Sequence, residues 1–201
     1  LSRGLGDVYK RQPLESGCVT ISRSAQSAEF PARFQLIAAM NPCPCGYAGQ
    51  VRSPGQKGPV CRCTPDQVHR YSSKVSGPLL DRIDLHIEVP GQSAAMLINA
   101  PAGESTALIQ KRCHHARFLA TQRQGCSNHA LRGANLDKHA ALGIDALAYM
   151  TQVATHLGWS GRSSHRVLKI ARTIADLAQS ANIETAHIAE AVQYRRPVAG
   201  H

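Results

Sequence analysis

Residues 36–89 read LIAAMNPCPCGYAGQVRSPGQKGPVCRCTPDQVHRYSSKVSGPLLDRIDLHIEV, and the rest of the chain is arranged around them. The stretch opens as an apolar run ending in Asn41, crosses a Gly- and Pro-rich loop holding four cysteines, and closes on Arg82 at the head of an alternating segment. Phe34 to Asn41 is apolar, of strand length and bounded by Arg33 and Pro42, which suits a central strand buried on both faces. In the closing segment Ile83, Leu85, Ile87 and Val89 alternate with Arg82, Asp84, His86 and Glu88, the period of a strand with one apolar face. Ligands gather at the carboxyl ends of strands in open α/β sheets, so Asn41 is a candidate ligand contact; a turn-forming Asn before Pro42 is the competing reading. For Arg82 the competitor is a surface salt bridge to Asp81 or Asp84.

Cys43 and Cys45 form one close pair and Cys61 and Cys63 another, with fifteen residues between the pairs. Two such pairs can bring four thiolates around one Zn²⁺, each pair supplying one edge of the tetrahedron, although C-x-C is tighter than the usual C-x₂-C. Disulfides, which a reducing compartment disfavours, and free structural cysteines are the alternatives. His69 can replace one thiolate or simply be solvated, and Cys18, Cys113 and Cys126 have no partner at ligand spacing.

The chain has 201 residues, 43% hydrophobic and only 4% aromatic, enough for one core or for a part-core and a small helical domain. No apolar run approaches the roughly 20 residues that span a bilayer, and no signal-peptide pattern occurs, so a soluble, cytoplasmic protein without membrane attachment is expected. A formal charge of +10 favours a polyanionic partner, nucleic acid or nucleotide phosphate, beside the plain alternative of a basic protein with no such partner.

Residues 1–12, LSRGLGDVYKRQ, show no periodic pattern and read as a foreign or artefactual start. Val19 and Ile21 then alternate with Thr20 and Ser22 as a short half-buried strand. Ser72 to Leu80 read as a loop or short helix stopped around Gly77-Pro78. Residues 93–104 read as a linker, and 105–197 as a small all-α domain. Its helices run from Ser105 or Thr106 to about Arg123, from about Asp145 to Leu157, from Gly161 or Arg162 to Ala178, and from Thr185 to Tyr194. In the third of these Arg162, Arg166 and Lys169 share one face; with Arg162 in the first turn this is a phosphate contact or else a solvated charge stripe.

Together PLESGCVTISR, FPARFQLIAAMNPCPCG, CRCTP, SGPLLDRIDLHIEV, RVLKIARTIADL and HIAEAVQYR resemble the magnesium-chelatase-like AAA+ ATPases of the ComM/YifB type over about Pro13 to Arg195. The resemblance implies the C-terminal part (13–92) of a P-loop-type α/β core with a parallel sheet and an inserted cysteine loop (43–63), followed by a helical lid. It further implies that Asn41 is the sensor 1 residue, Arg82 the arginine finger and Arg162 the sensor 2 arginine. ATP and Mg²⁺ are the implied cofactors, a homo-oligomeric ring, commonly a hexamer, the implied assembly, and DNA branch migration in natural transformation the implied activity.

One departure matters. No Gly-Lys dipeptide occurs in the chain, so there is no phosphate-cradling G-x-x-x-x-G-K-[ST] loop, and no apolar run ends in Asp-Glu to hold Mg²⁺. Both would lie upstream of Pro13 in the family, and the chain by itself is therefore expected not to hydrolyse ATP. Two other functions compete: a non-enzymatic zinc and nucleic-acid-binding module, and the motor subunit of a tetrapyrrole metal chelatase, whose related core lacks the CPC and CRC pairs.

Overall fold

A computed structural model describes residue 14 and residues 16–23, 26–49, 58–92 and 98–195. The foreign-looking start (1–12), the middle of the cysteine loop and part of the 93–104 linker lie outside the described residues. Two compact units divide the chain, Leu1–Ile83 with Pro197–His201, and Asp84–Arg196.

In the first unit, β1 (Cys18–Arg23) and β2 (Gln26–Pro31) form an antiparallel hairpin in register from Cys18↔Pro31 to Arg23↔Gln26. Ala32 N–H donates to the Gly17 carbonyl at 2.8 Å and closes its open end. The β1 alternation was legible in the sequence, but Ile21 and Phe30 stay about half exposed, so the hairpin covers no core. The expected parallel sheet is not seen among the described residues. Phe34 to Asn41 is irregular and exposed throughout, with Ile37 at 85% exposure. A strand buried on both faces needs a ladder partner on each edge and a layer on each face, and no described segment supplies either. Residues 82–89 are likewise not a strand, and Leu85, Ile87 and Val89 are exposed.

Helix α1 (Pro65–Ser72) has a clear local cause that the sequence reading missed. Thr64 Oγ1 accepts from Gln67 N at 3.3 Å while Gln67 Oε1 accepts from Thr64 N at 3.0 Å, a reciprocal cap in which Pro65 costs nothing because a first-turn N–H has no helical acceptor. The same logic reverses the expectation at Gly77-Pro78. These residues start the single turn α2 (Gly77–Leu80) rather than stop a helix.

The second unit is helical: α3 (Thr106–Gln124), a 3₁₀ turn (Asn128–Ala130), α4 (Gly133–His139), α5 (Ile144–His156), α6 (Gly161–Leu177) and α7 (Thr185–Gln193). Ser105 Oγ accepts from Leu108 N and caps α3, which ends at Gly125 with φ 73°, a conformation a side chain resists. Ser160 caps α6 in the same way, through Ser163 N. The core gathers Leu131, Leu136, Met150, Val167, Ile183 and Ile188 with Ala140, Ala146, Ala171, Ala175 and Ala191, small residues that let α6 and α7 approach closely. Each fully buried Val, Leu or Ile contributes roughly 1.5–3 kcal/mol. On α3 only Ala116 and Ala120 are fully buried, and the apolar Leu108 and Ile109 face solvent. His86 N–H donates to the Tyr194 carbonyl at 2.8 Å, which ties the 84–92 segment to the end of α7.

Candidate metal centre and nucleotide-site residues

Pro42-Cys43-Pro44-Cys45-Gly46 folds as a tight turn closed by Gly46 N–H donating to the Cys43 carbonyl at 3.0 Å. Gly46 has φ 83°, and a Cβ there would lie 3.7 Å from Asn41 Nδ2, so the Asn41 side chain rests over the turn that presents the first cysteine pair. The second pair immediately precedes the Thr64 cap of α1. Both pairs are thus anchored by local backbone geometry rather than by a large core.

The turn and the cap bring the four sulfurs together. The Sγ atoms of Cys43, Cys45, Cys61 and Cys63 all lie within 4.8 Å of one another. Cys43 is 3.2 Å from Cys45 and 3.7 Å from Cys61, and Cys45 is 3.6 Å from Cys61. Tetrahedral Zn–S bonds of about 2.3 Å place sulfurs about 3.8 Å apart, so the cluster already has the size of a four-thiolate site. Ala48 N–H donates to Cys43 Sγ at 3.3 Å, the kind of contact that supports a thiolate ligand from outside the ligand set. Burial pushes the Cys43 thiol up, but hydrogen bonds from Cys45, Ala48 N–H and Cys61 outweigh it and bring it to about 6. At Cys63 a backbone hydrogen bond from Cys45 pulls down but is outweighed by the Cys45, Cys43 and Cys61 side chains and by burial, leaving it at about 12. Four sulfurs this close repel one another as thiolates unless a cation sits among them. The quartet can hold one metal ion. His69, weighed as a replacement ligand, sits in the last turn of α1 and is not part of the quartet.

Arg82 sits in the turn after α2, not at the head of a strand, and its guanidinium donates to the Pro78 carbonyl at 2.6 Å. Arg162 lies in the first turn of α6 and is exposed. The other two cations of its stripe are not simply solvated. Arg166 pairs with Asp84 at 2.7 Å, and Lys169 Nζ donates to the His129 carbonyl at 3.2 Å. Partial burial, then the nearby Arg132 and Arg166 charges, bring Lys169 down to about 8 against the opposing pull of Asp84. Neither His129 nor Arg132 was singled out in the sequence, because a turn that folds back onto a helix forty residues away leaves no periodic trace.

Two family models match, in the order the two halves of the chain require. Residues 7–97 match that of the magnesium chelatase subunit ChlI, and residues 103–195 match its C-terminal counterpart. The chain is 41% identical over 186 residues to YifB of Salmonella typhimurium and 40% identical over 186 residues to YifB of Escherichia coli, each alignment covering 92% of this chain and 35% of the relative. It is 40% identical over 189 residues to the competence protein ComM of Haemophilus influenzae, covering 94% of this chain and 36% of ComM. The chain belongs to the magnesium-chelatase-like ComM/YifB family. It spans about a third of the length of these curated relatives. Among the described residues no helix is long and apolar enough to cross a membrane.

Proposed function

We propose that this chain is the sensor, finger and lid portion of a ring-forming AAA+ ATPase that acts on DNA in the cytoplasm. The observation that carries the reading is the alignment of both family models along one chain, with NPCPCG and SGPLLDRIDLH at the positions where the family resemblance puts sensor 1 and the arginine finger. The name of the ComM relative, a competence protein, supports a role in DNA uptake and recombination, and branch migration is the specific activity proposed.

In this reading Asn41 orients the water that attacks the γ-phosphate, and Arg82 from a neighbouring subunit neutralises charge developing on that phosphate. Arg162 contacts the phosphates from the lid, at a helix end that already favours anions. A finger supplied in trans requires a head-to-tail ring, for which a hexamer is proposed. ATP with Mg²⁺ is bound by residues of the whole protein, including a phosphate loop that this sequence does not contain. Zn²⁺ in the four-cysteine site is structural, since four protein ligands leave no open position for water. It fixes the turn on which Asn41 rests.

A full-length protein with the nucleotide-binding half should hydrolyse ATP, and Asn41→Ala should abolish turnover while nucleotide still binds. A full-length protein that binds DNA and zinc but never hydrolyses ATP would overturn the reading in favour of a zinc and nucleic-acid-binding module. The four-thiol cluster is the observation that keeps that alternative in play. ATP hydrolysis coupled to metal insertion into a tetrapyrrole, and indifferent to DNA, would instead make the protein a chelatase motor.

A further inference from the structure

Two cations of the helical unit converge on one backbone carbonyl. Arg132 donates from one terminal nitrogen to the carbonyls of His129 at 2.5 Å and Leu131 at 2.8 Å, and Lys169 Nζ donates to the same His129 oxygen at 3.2 Å. Sharing that oxygen puts the two charged nitrogens within about 6 Å of each other, with Arg132 exposed and Lys169 partly buried, close enough for the two charges to repel. The acidic side chain that acts on this neighbourhood, Asp84, is held by Arg166 at 2.7 Å. Among the described residues neither Arg132 nor Lys169 has a carboxylate within ion-pairing distance.

The donors are also under-used. The Arg132 Nε and its second terminal nitrogen have no acceptor among the described residues, and Lys169 spends one N–H of its ammonium group on His129. A guanidinium fork and an ammonium group set side by side fit a group with several acceptor oxygens and negative charge, which a phosphate supplies and a single carboxylate supplies less well. Lys169 lies two helical turns beyond Arg162, about 10 Å along the axis of α6, so the pair is not the helix-end contact assigned to Arg162.

We propose that Arg132 and Lys169 form a second phosphate-binding site on the helical unit, distinct from the Arg162 end of α6. The bound phosphate belongs either to a nucleotide or to the backbone of a nucleic-acid strand, and the same two side chains recognise both. An anion there relieves the repulsion between the cations and holds the Lys169 proton to higher pH, against partial burial and the Arg132 and Arg166 charges that lower it to about 8.

The test is calorimetric titration of the whole chain with inorganic pyrophosphate and, separately, with single-stranded oligothymidylate, at about 20 mM salt and neutral pH. Arg132→Gln combined with Lys169→Gln should weaken binding about tenfold or more while helical circular dichroism is unchanged. Loss in the pyrophosphate arm alone assigns the site to nucleotide phosphate, and loss in the oligonucleotide arm assigns it to a strand backbone. Lys169→Arg should keep the affinity and change its pH dependence. In the native chain the groups around Lys169 are Arg132, Arg166, Asp84 and His129, and affinity should fall as pH rises from about 7 to about 9.5, whereas the arginine variant should hold it. Binding that is equal in the native and double-variant chains, an alkaline loss unchanged in Lys169→Arg, or no binding of either probe at millimolar concentration overturns the proposal. None of these outcomes depends on ATP hydrolysis, so failure here and failure of the ATPase reading are separable.

Discussion

Arg123 of α3 donates from both terminal nitrogens to Asp176 of α6, at 2.6 and 2.9 Å, with the Asp176 side chain only 1% exposed. Arg172 reaches the same carboxylate at 3.0 Å, and Asn128 of the 3₁₀ turn donates to it at 2.8 Å. One carboxylate therefore joins α3, α6 and the turn, in a unit whose α3 buries only two alanines fully. Burial alone raises its pKa, but hydrogen bonds from Arg123 and Asn128 and the charge of Arg172 outweigh burial and hold the carboxyl below its ordinary value.

Asp176→Asn should destabilise the helical unit by about 3 kcal/mol at neutral pH, because it leaves two guanidinium groups without their counter-charge. A depressed carboxyl pKa contributes stability that is fully present above the unfolded-state value and is lost as pH falls through the folded one. The gap between native and Asp176→Asn chains should accordingly narrow below about pH 4. Denaturant unfolding at neutral and acid pH reads both effects; a constant gap would mean that the carboxylate charge is not what holds the helices.

Purified chain should carry about one Zn²⁺ per molecule, and Cys61→Ser with Cys63→Ser should remove it. Chelation should loosen the turn at Cys43 and the start of α1 without melting the helical unit, whose core is its own. Elemental analysis together with amide exchange separates the two effects. Zinc content unchanged in the double serine variant would place any metal elsewhere.

DNA binding should be weak and fall steeply as salt rises, since basic side chains displace condensed counterions and a single chain does not supply the ring proposed for the whole protein. Tight binding that salt does not weaken would favour a sequence-reading module. Fluorescence anisotropy across a salt series gives the slope.

The helical unit was legible because its boundaries rest on local chemistry. Ser105, Arg123, Gly161 and Ala178 were read as helix limits from the sequence, and each lies at or next to the corresponding structural end. The four cysteines were legible as a set because pair spacing is local, and the backbone turn at Gly46 brings the first pair into place. Phe34 to Asn41 carries the continuous apolar run of a buried strand and the 82–89 segment the alternation of a half-buried one, yet neither is a strand, since a ladder is made by partners and hydrophobic pattern does not reveal whether they are at hand. The Arg132–Lys169 pair and the Asp176 network join residues about forty to fifty positions apart, and only the fold brings them together.

The central claim is that Arg82 acts across a subunit boundary, which requires its guanidinium to exchange the Pro78 carbonyl for a neighbour's phosphate. The decisive measurement is ATP hydrolysis by mixed rings of the full-length protein. Arg82→Ala alone should cut turnover by about 10³ to 10⁵ while nucleotide remains bound, the range associated with arginine fingers. A phosphate-loop variant has a dead pocket and an intact finger, and Arg82→Ala has the reverse. Mixing the two inactive proteins should return part of the activity, because some interfaces then join a good pocket to a good finger. If mixed rings form and stay inactive, or if Arg82→Ala keeps its full rate, Arg82 is not a finger.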